Sequence, residues 1–165
     1  MNKINLKNFY LNLVIILIVF IFDRATKLYI LKLAEVEASV DVYLTPYLNL
    51  FLIWNKGIAF GLFSIDGSII YNSITILISL IIITILFMMF KNNNIRRYFF
   101  ALIAGGALGN FYDRIVYSAV PDFIDLHFYG FHWFVFNIAD IFITIGVLIL
   151  ILIEILDKNK SHEKN

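Results

Sequence analysis

FYLNLVIILIVFIFDRATKLYIL, running from Phe9 to Leu31, is the stretch on which the fold turns. As a helix it extends about 35 Å, enough to cross a hydrocarbon core about 30 Å thick. The half before Asp23 is nearly all apolar, and Asp23, Arg24 and Lys27 interrupt the second half. Charged groups inside such a span are costly, so each is a functional candidate. Lys3 and Lys7 precede the apolar run, as they would in a secretory leader. No small-x-small site follows directly, because the next residues are Asp23-Arg24-Ala25-Thr26-Lys27 and Val36-Glu37-Ala38 lies too far downstream. An uncleaved first span is the expectation.

Three further stretches have the length and apolarity of a span. Ile69 to Phe90 carries no charge, Tyr98 to Val116 is shorter and rich in glycine, and Phe134 to Leu156 contains Asp140. Between the first two, residues 40–63 combine Val42, Tyr43, Leu44 and the run Tyr47 to Trp54 with Pro46, Gly57 and Gly61. This reads as two or three short strands. The expected fold is an all-α membrane protein, one integral membrane domain over residues 1–165. It has spans at about 9–31, 69–90, 98–116 and 134–156, forming a four-helix transmembrane bundle, with a small extracytoplasmic β-sheet between the first and second helices.

Composition agrees. Hydrophobic residues make up 61% of the chain and charged residues 15%, too little polar surface for a water-soluble shell. A net charge of +1 provides no basic field for nucleic acid, and the absence of cysteine excludes disulfides, thiol catalysis and cysteine-based zinc sites. Lys3, Lys7, Lys91, Arg96, Arg97, Lys158, Lys160 and Lys164 gather on the side of the termini and the 91–97 loop. By the positive-inside rule both termini face the cytoplasm, and residues 32–68 and 117–133 face outward.

Depth brings the polar groups together. Asp23 lies about 21 Å into the first span, and Asp140 about 9 Å into the fourth from its outer end, so both reach one outer-leaflet layer. Asp113, Arg114 and Asp122 flank the outer end of the third span. Asp23 and Lys27, four apart, are expected to pair mainly with each other. Gly105 and Gly109, at GxxxG spacing, are expected to let the third and fourth spans approach closely. Asn110 and Arg114 share a face one turn on. Asn137 lies three residues before Asp140 and is placed to orient it. Asp122 and Asp140 form a pair of acids of which one can hold a proton while the other serves as base. Residue chemistry leaves two readings open: a hydrolytic dyad, or an intramembrane proton relay in a small proton-coupled transporter. His127 and His132, spaced H-x4-H beside Asp122 and Asp125, match no standard ligand pattern, and no metal is expected.

The same residues carry a resemblance. Asp23-x3-Lys27, Asn55-Lys56-Gly57-Ile58-Ala59-Phe60-Gly61, Gly105-Gly106-x2-Gly109-Asn110-x2-Asp113-Arg114, Asp122-Phe123-Ile124 and Trp133-x2-Phe136-Asn137-x-Ala139-Asp140 occur in this order along nearly the whole chain. In them the sequence resembles the lipoprotein signal peptidase (signal peptidase II) family of bacterial membrane aspartyl proteases. The resemblance implies an endopeptidase with Asp122 and Asp140 as its catalytic pair. Asn55, Gly57, Asn110, Arg114 and Asn137 would lie around the substrate, and Asp23, Lys27, Gly105 and Gly109 would support the site. It implies cleavage before a diacylglyceryl-modified cysteine in prolipoproteins, in contact with membrane lipid, with no cofactor, in a monomer of the inner membrane whose active site faces outward. Pro121, Phe134 and Ile141 depart from the family's usual pattern.

Overall fold

The computed structural model describes residues 6–37, 39–57, 68–129 and 131–162. The elements run α1 (Leu6–Glu37), β1 (Asp41–Thr45), β2 (Leu48–Asn55), α2 (Ser68–Lys91), α3 (Arg96–Tyr117), β3 (Val120–Phe128), β4 (Phe131–Phe136) and α4 (Ile138–His162). Of these helices, α2 from Tyr71 to Lys91 and α4 from Ile138 to Asn159 are apolar and long enough to cross a membrane. At 32 residues, α1 is about 48 Å long and outruns a bilayer core.

The polarity of the helices is inverted. Leu17 and Ile21 on α1, Ile83 and Phe87 on α2, and Leu148 and Ile151 on α4 point outward and are exposed. Asp23, Lys27, Asp113, Arg114 and Asn137 are buried. An apolar exterior over a charged interior suits a lipid solvent.

Helix α3 packs against α1, α2 and α4, and its glycines explain how. A Cβ on Gly105 would stand 2.8 Å from Val19 Cβ, and one on Gly109 2.5 Å from Asp23 Oδ2, both on α1. A Cβ on Gly106 would stand 2.6 Å from the Ala139 carbonyl oxygen on α4. The GxxxG pair therefore seats α1, not α4. Gly106 and Gly146 instead make the α3–α4 approach, the latter against Ile103 and the Phe99 carbonyl. The expectation attached the close packing to the wrong neighbour, because glycine spacing defines a face without saying what covers it.

The sheet differs from expectation as well. It is antiparallel with order β1-β2-β3-β4. Its first half comes from the α1–α2 connection and its second from the α3–α4 connection. The expected strands at 40–63 are β1 and β2, and residues 58–67 lie outside the described residues. The fold is thus not all-α with a local hairpin: the sheet joins the α1–α2 connection to the α3–α4 connection. Leu48 pairs with Leu126, Ile53 with Asp122 and Asn55 with Val120, which ties the two halves edge to edge. The sheet sits on α1 through Ile30, Val40 and Phe123. The expected fourth span at 134–156 begins later, because Phe131–Phe136 is strand β4 and the helix starts at Ile138.

Candidate active site

Asn137 sits at the junction of β4 and α4 and sets the local geometry. Its side-chain oxygen accepts from Asp140 N at 3.1 Å, while Asp140 Oδ2 accepts from Asn137 N at 3.2 Å. This is a reciprocal capping box, satisfying two helix-terminal donors. The sequence reading placed Asn137 on the same helical face as Asp140. It is instead the N-cap, and the N-x-x-D spacing would have signalled it.

The cap also fixes the amide. A backbone N–H can only donate, so Asn137 Oδ1 must face Asp140 N and its NH2 must point away. That NH2 donates to Asp122 Oδ1 at 2.6 Å. Two other asparagines are oriented in the same way. Gly57 N donates to Asn55 Oδ1 at 2.9 Å, which turns Asn55 Nδ2 onto Asp122 Oδ2 at 2.9 Å. Lys27 Nζ donates to Asn110 Oδ1 at 2.7 Å, which turns Asn110 Nδ2 onto Asp140 Oδ1 at 2.8 Å. Asp122 comes from β3 and Asp140 from the first turn of α4, and Asn137 links them. Each carboxylate is gripped from two sides.

Asp122 is 1% exposed. Burial pushes its carboxyl up to about 7, with the nearby charge of Asp140 acting in the same direction and the hydrogen bonds from Asn55 and Asn137 opposing it. It can therefore carry a proton near neutral pH, as one member of an acid–base pair must.

Both acids open on a cavity of about 350 Å³. Its polar end holds Asn55, Asn110, Arg114 and Asn137, and its apolar wall holds Leu77 and Ile81 from α2. Arg114 donates to the Gly57 carbonyl through Nη2. Its Nη1 is buried and has no partner among the described residues. Tyr71 Oη donates to the Arg114 carbonyl at 2.7 Å, tying α2 to the end of α3. Ile141 lies beside Asp140 in a neighbouring apolar hollow with Phe136 and Ile145. Pro121 faces Trp54 in the β2–β3 register, and Phe134 is half-exposed on β4.

Behind the acids lies a charge network larger than the expected Asp23–Lys27 pair. Lys27 Nζ is 3.0 Å from the Asp23 carboxylate and 2.7 Å from Asp113 Oδ2. Arg24 forks onto Asp113 at 2.5 and 2.7 Å and reaches Asp23 Oδ2 at 3.0 Å. Its guanidinium lies 5.0 Å from the Tyr112 ring centre. Two acids and two bases balance in the interior, as buried charges require. Asp23 Oδ1 also accepts from Ala139 N at 3.1 Å, so α1 holds the first turn of α4. The sequence names Arg24 and Asp113 as charged candidates but assigns neither a supporting role, because the fork that joins them crosses from α1 to α3 and sequence spacing reports only pairs within one helix.

A family model described as signal peptidase (SPase) II matches residues 15–156. The chain belongs to the signal peptidase II family. The lipoprotein signal peptidase of Pelagibacter ubique (strain HTCC1062) is 84% identical over 166 residues, covering 100% of both chains. That of Anaplasma phagocytophilum (strain HZ) is 37% identical, covering 92% of this chain and 96% of the relative. A solved structure described as a bacterial membrane enzyme superposes with a TM-score of 0.75 at 30% identity, covering 90% of each chain. Signal peptidase II enzymes are aspartic proteases, so the chain is a hydrolase. Family membership leaves the transporter alternative without support.

Proposed function

We propose that this protein removes signal peptides from diacylglyceryl-modified prolipoproteins, cutting before the lipidated cysteine with Asp122 and Asp140 as its catalytic pair. The observation that carries the reading is the pairing itself: two acids on one cavity, joined by Asn137 and each held by a second asparagine. One carboxylate takes a proton from water as it attacks the scissile carbonyl. The other, protonated, stabilises the developing oxyanion, and a proton then passes to the leaving nitrogen. Arg114 Nη1 is a buried donor with no partner among the described residues, suited to a substrate carbonyl. Gly57 shapes that wall through its carbonyl. Asn55, Asn110 and Asn137 hold the acids in the free enzyme and line the path of the peptide.

Membrane placement follows. The four helices span the inner membrane as a bundle and the sheet lies at the outer surface. Both termini are cytoplasmic, in keeping with the lysine and arginine excess at that end. The site sits where α3 ends and α4 begins, against the middle of α1 and beside the sheet. Substrate acyl chains lie in the bilayer and its signal helix spans it, so the scissile bond comes to this level by lateral diffusion. The apolar wall from α2 receives lipid or the small apolar residues that precede the cysteine, and the enzyme acts as a monomer. The test is cleavage of a lipid-modified precursor by the purified protein in detergent, against the same precursor without lipid. Equal cleavage of both would overturn the substrate assignment while leaving the dyad standing.

A further inference from the structure

A second cluster of titratable side chains lies on the sheet, apart from the acids. His127 and His132 pair directly across the β3–β4 hairpin, and their ring centres are 5.5 Å apart. The H-x4-H spacing resembles no helical ligand pattern. A hairpin converts it into a cross-strand pair. Asp125 stands two residues before His127, on the same face of the strand. Its Oδ2 lies 2.7 Å from His132 Nδ1 and 3.6 Å from His127 Nδ1. One ligand atom from each of the three residues falls within 4.8 Å of the others.

The cluster is left with unused capacity. Asp125 is 0% exposed, yet its Oδ1 has no hydrogen-bond partner among the described residues, and neither does His127 Nδ1, also buried. Buried polar atoms are ordinarily satisfied, so two orphans on one cluster call for a third party. Asp125 Oδ1 can only accept, and His127 Nδ1 is a donor or a lone pair according to the tautomer, so a cation that takes the lone-pair tautomer as a ligand would occupy both. His132, with its side chain 61% exposed, provides the entry path.

We propose that Asp125, His127 and His132 form a binding site for a divalent first-row transition ion, of which Zn²⁺ is the type case. Two imidazole nitrogens and one carboxylate oxygen suit that class of ion, and three protein ligands leave a position for water. Donors on one ion stand within about 4 Å of each other, and rotation of the exposed His132 ring closes the remaining gap. The site is separate from the dyad. Asp122 is three residues away on β3, about 10 Å along the strand, and strand alternation sends its side chain to the opposite face. The ion clips β3 to β4 and so braces the strand that carries Asp122, without touching the reacting groups.

The experiment uses the full chain, untagged, stripped with chelator in detergent and titrated with Co²⁺. Visible d–d absorption reports binding, and Zn²⁺ serves as competitor. One Co²⁺ per chain, displaced by Zn²⁺, is expected, with a rise in Tm on adding Zn²⁺. His132→Ala should weaken Co²⁺ binding at least tenfold, and the exposure of that ring lets the variant fold. Asp125→Asn should do the same. His162→Ala should bind as the wild type does. Absence of binding at about 100 µM Co²⁺ would overturn the proposal, and so would binding undiminished by both His127→Ala and His132→Ala.

Discussion

Single side chains are set by which of their atoms can only donate. Asn110 illustrates this: Lys27 dictates its amide orientation, so its NH2 faces Asp140. Asn110→Ala should lower kcat on the order of a hundredfold through loss of orientation, with little change in KM. Steady-state kinetics on a lipidated precursor checks this, and an equal loss in KM would place Asn110 on the substrate instead. Asp122 leads to a pH-dependent prediction. Its folded-state pKa of about 7 lies above the ordinary value of 3.8, so the folded state holds a proton that the unfolded chain has released. Stability therefore falls as pH rises from about 4 to 7 and levels off above that range. Asp122→Asn has no such titration. Relative to wild type its Tm should rise across that window and then run parallel, as thermal unfolding in detergent at a series of pH values would reveal. The residue types at the site were readable from the chain. The reason Asn137 matters was not, since it works as a cap and not as a face neighbour.

At the scale of elements, α3 is the hub, and its contacts depend on the lack of a side chain at chosen points. Gly106→Ala would push a methyl to 2.6 Å from the Ala139 carbonyl. Backbone there cannot swing aside as a flexible side chain does, so destabilisation of about 1–3 kcal/mol is expected, with lost activity because Ala139 adjoins Asp140. Differential scanning of the variant against Gly105→Ala, which meets Val19 on α1, separates the two interfaces. Lys27→Met should cost about 3–5 kcal/mol by leaving buried carboxylates short of a cation. The helices were legible because their apolar runs are long. The shared sheet was only half legible. Phe134 to Phe136 is as apolar as the helix that follows, so hydropathy takes the second half of β4 into the fourth span, and nothing in the spacing of β2 names β3 as its partner.

Across the whole molecule, the middle of the helices turns hydrocarbon outward over a buried charge cluster, exposed charges such as Lys32, Lys91 and Asp157 lie toward the helix ends, and the connections at one end of the helices knit into a single sheet. The dyad mechanism draws on no thiol, since the chain has no cysteine, and on no metal. Cleavage should therefore persist in EDTA and in the presence of serine- and thiol-directed reagents. An ion on the Asp125 cluster would change Tm and leave turnover as it was. Loss of turnover in EDTA, restored by a divalent ion, would move the metal into the reaction.

The central claim is that Asp122 and Asp140 act as one catalytic unit, and the most direct measurement is single-turnover cleavage of a lipid-modified precursor by Asp122→Asn and Asp140→Asn. An amide can neither accept the proton from water nor return one to the leaving nitrogen. Each variant should lose about 10²–10⁴-fold in rate while remaining folded and inserted, and the double variant should lose little more than either single one. Wild-type turnover by either single variant, or losses that multiply in the double, would contradict the dyad.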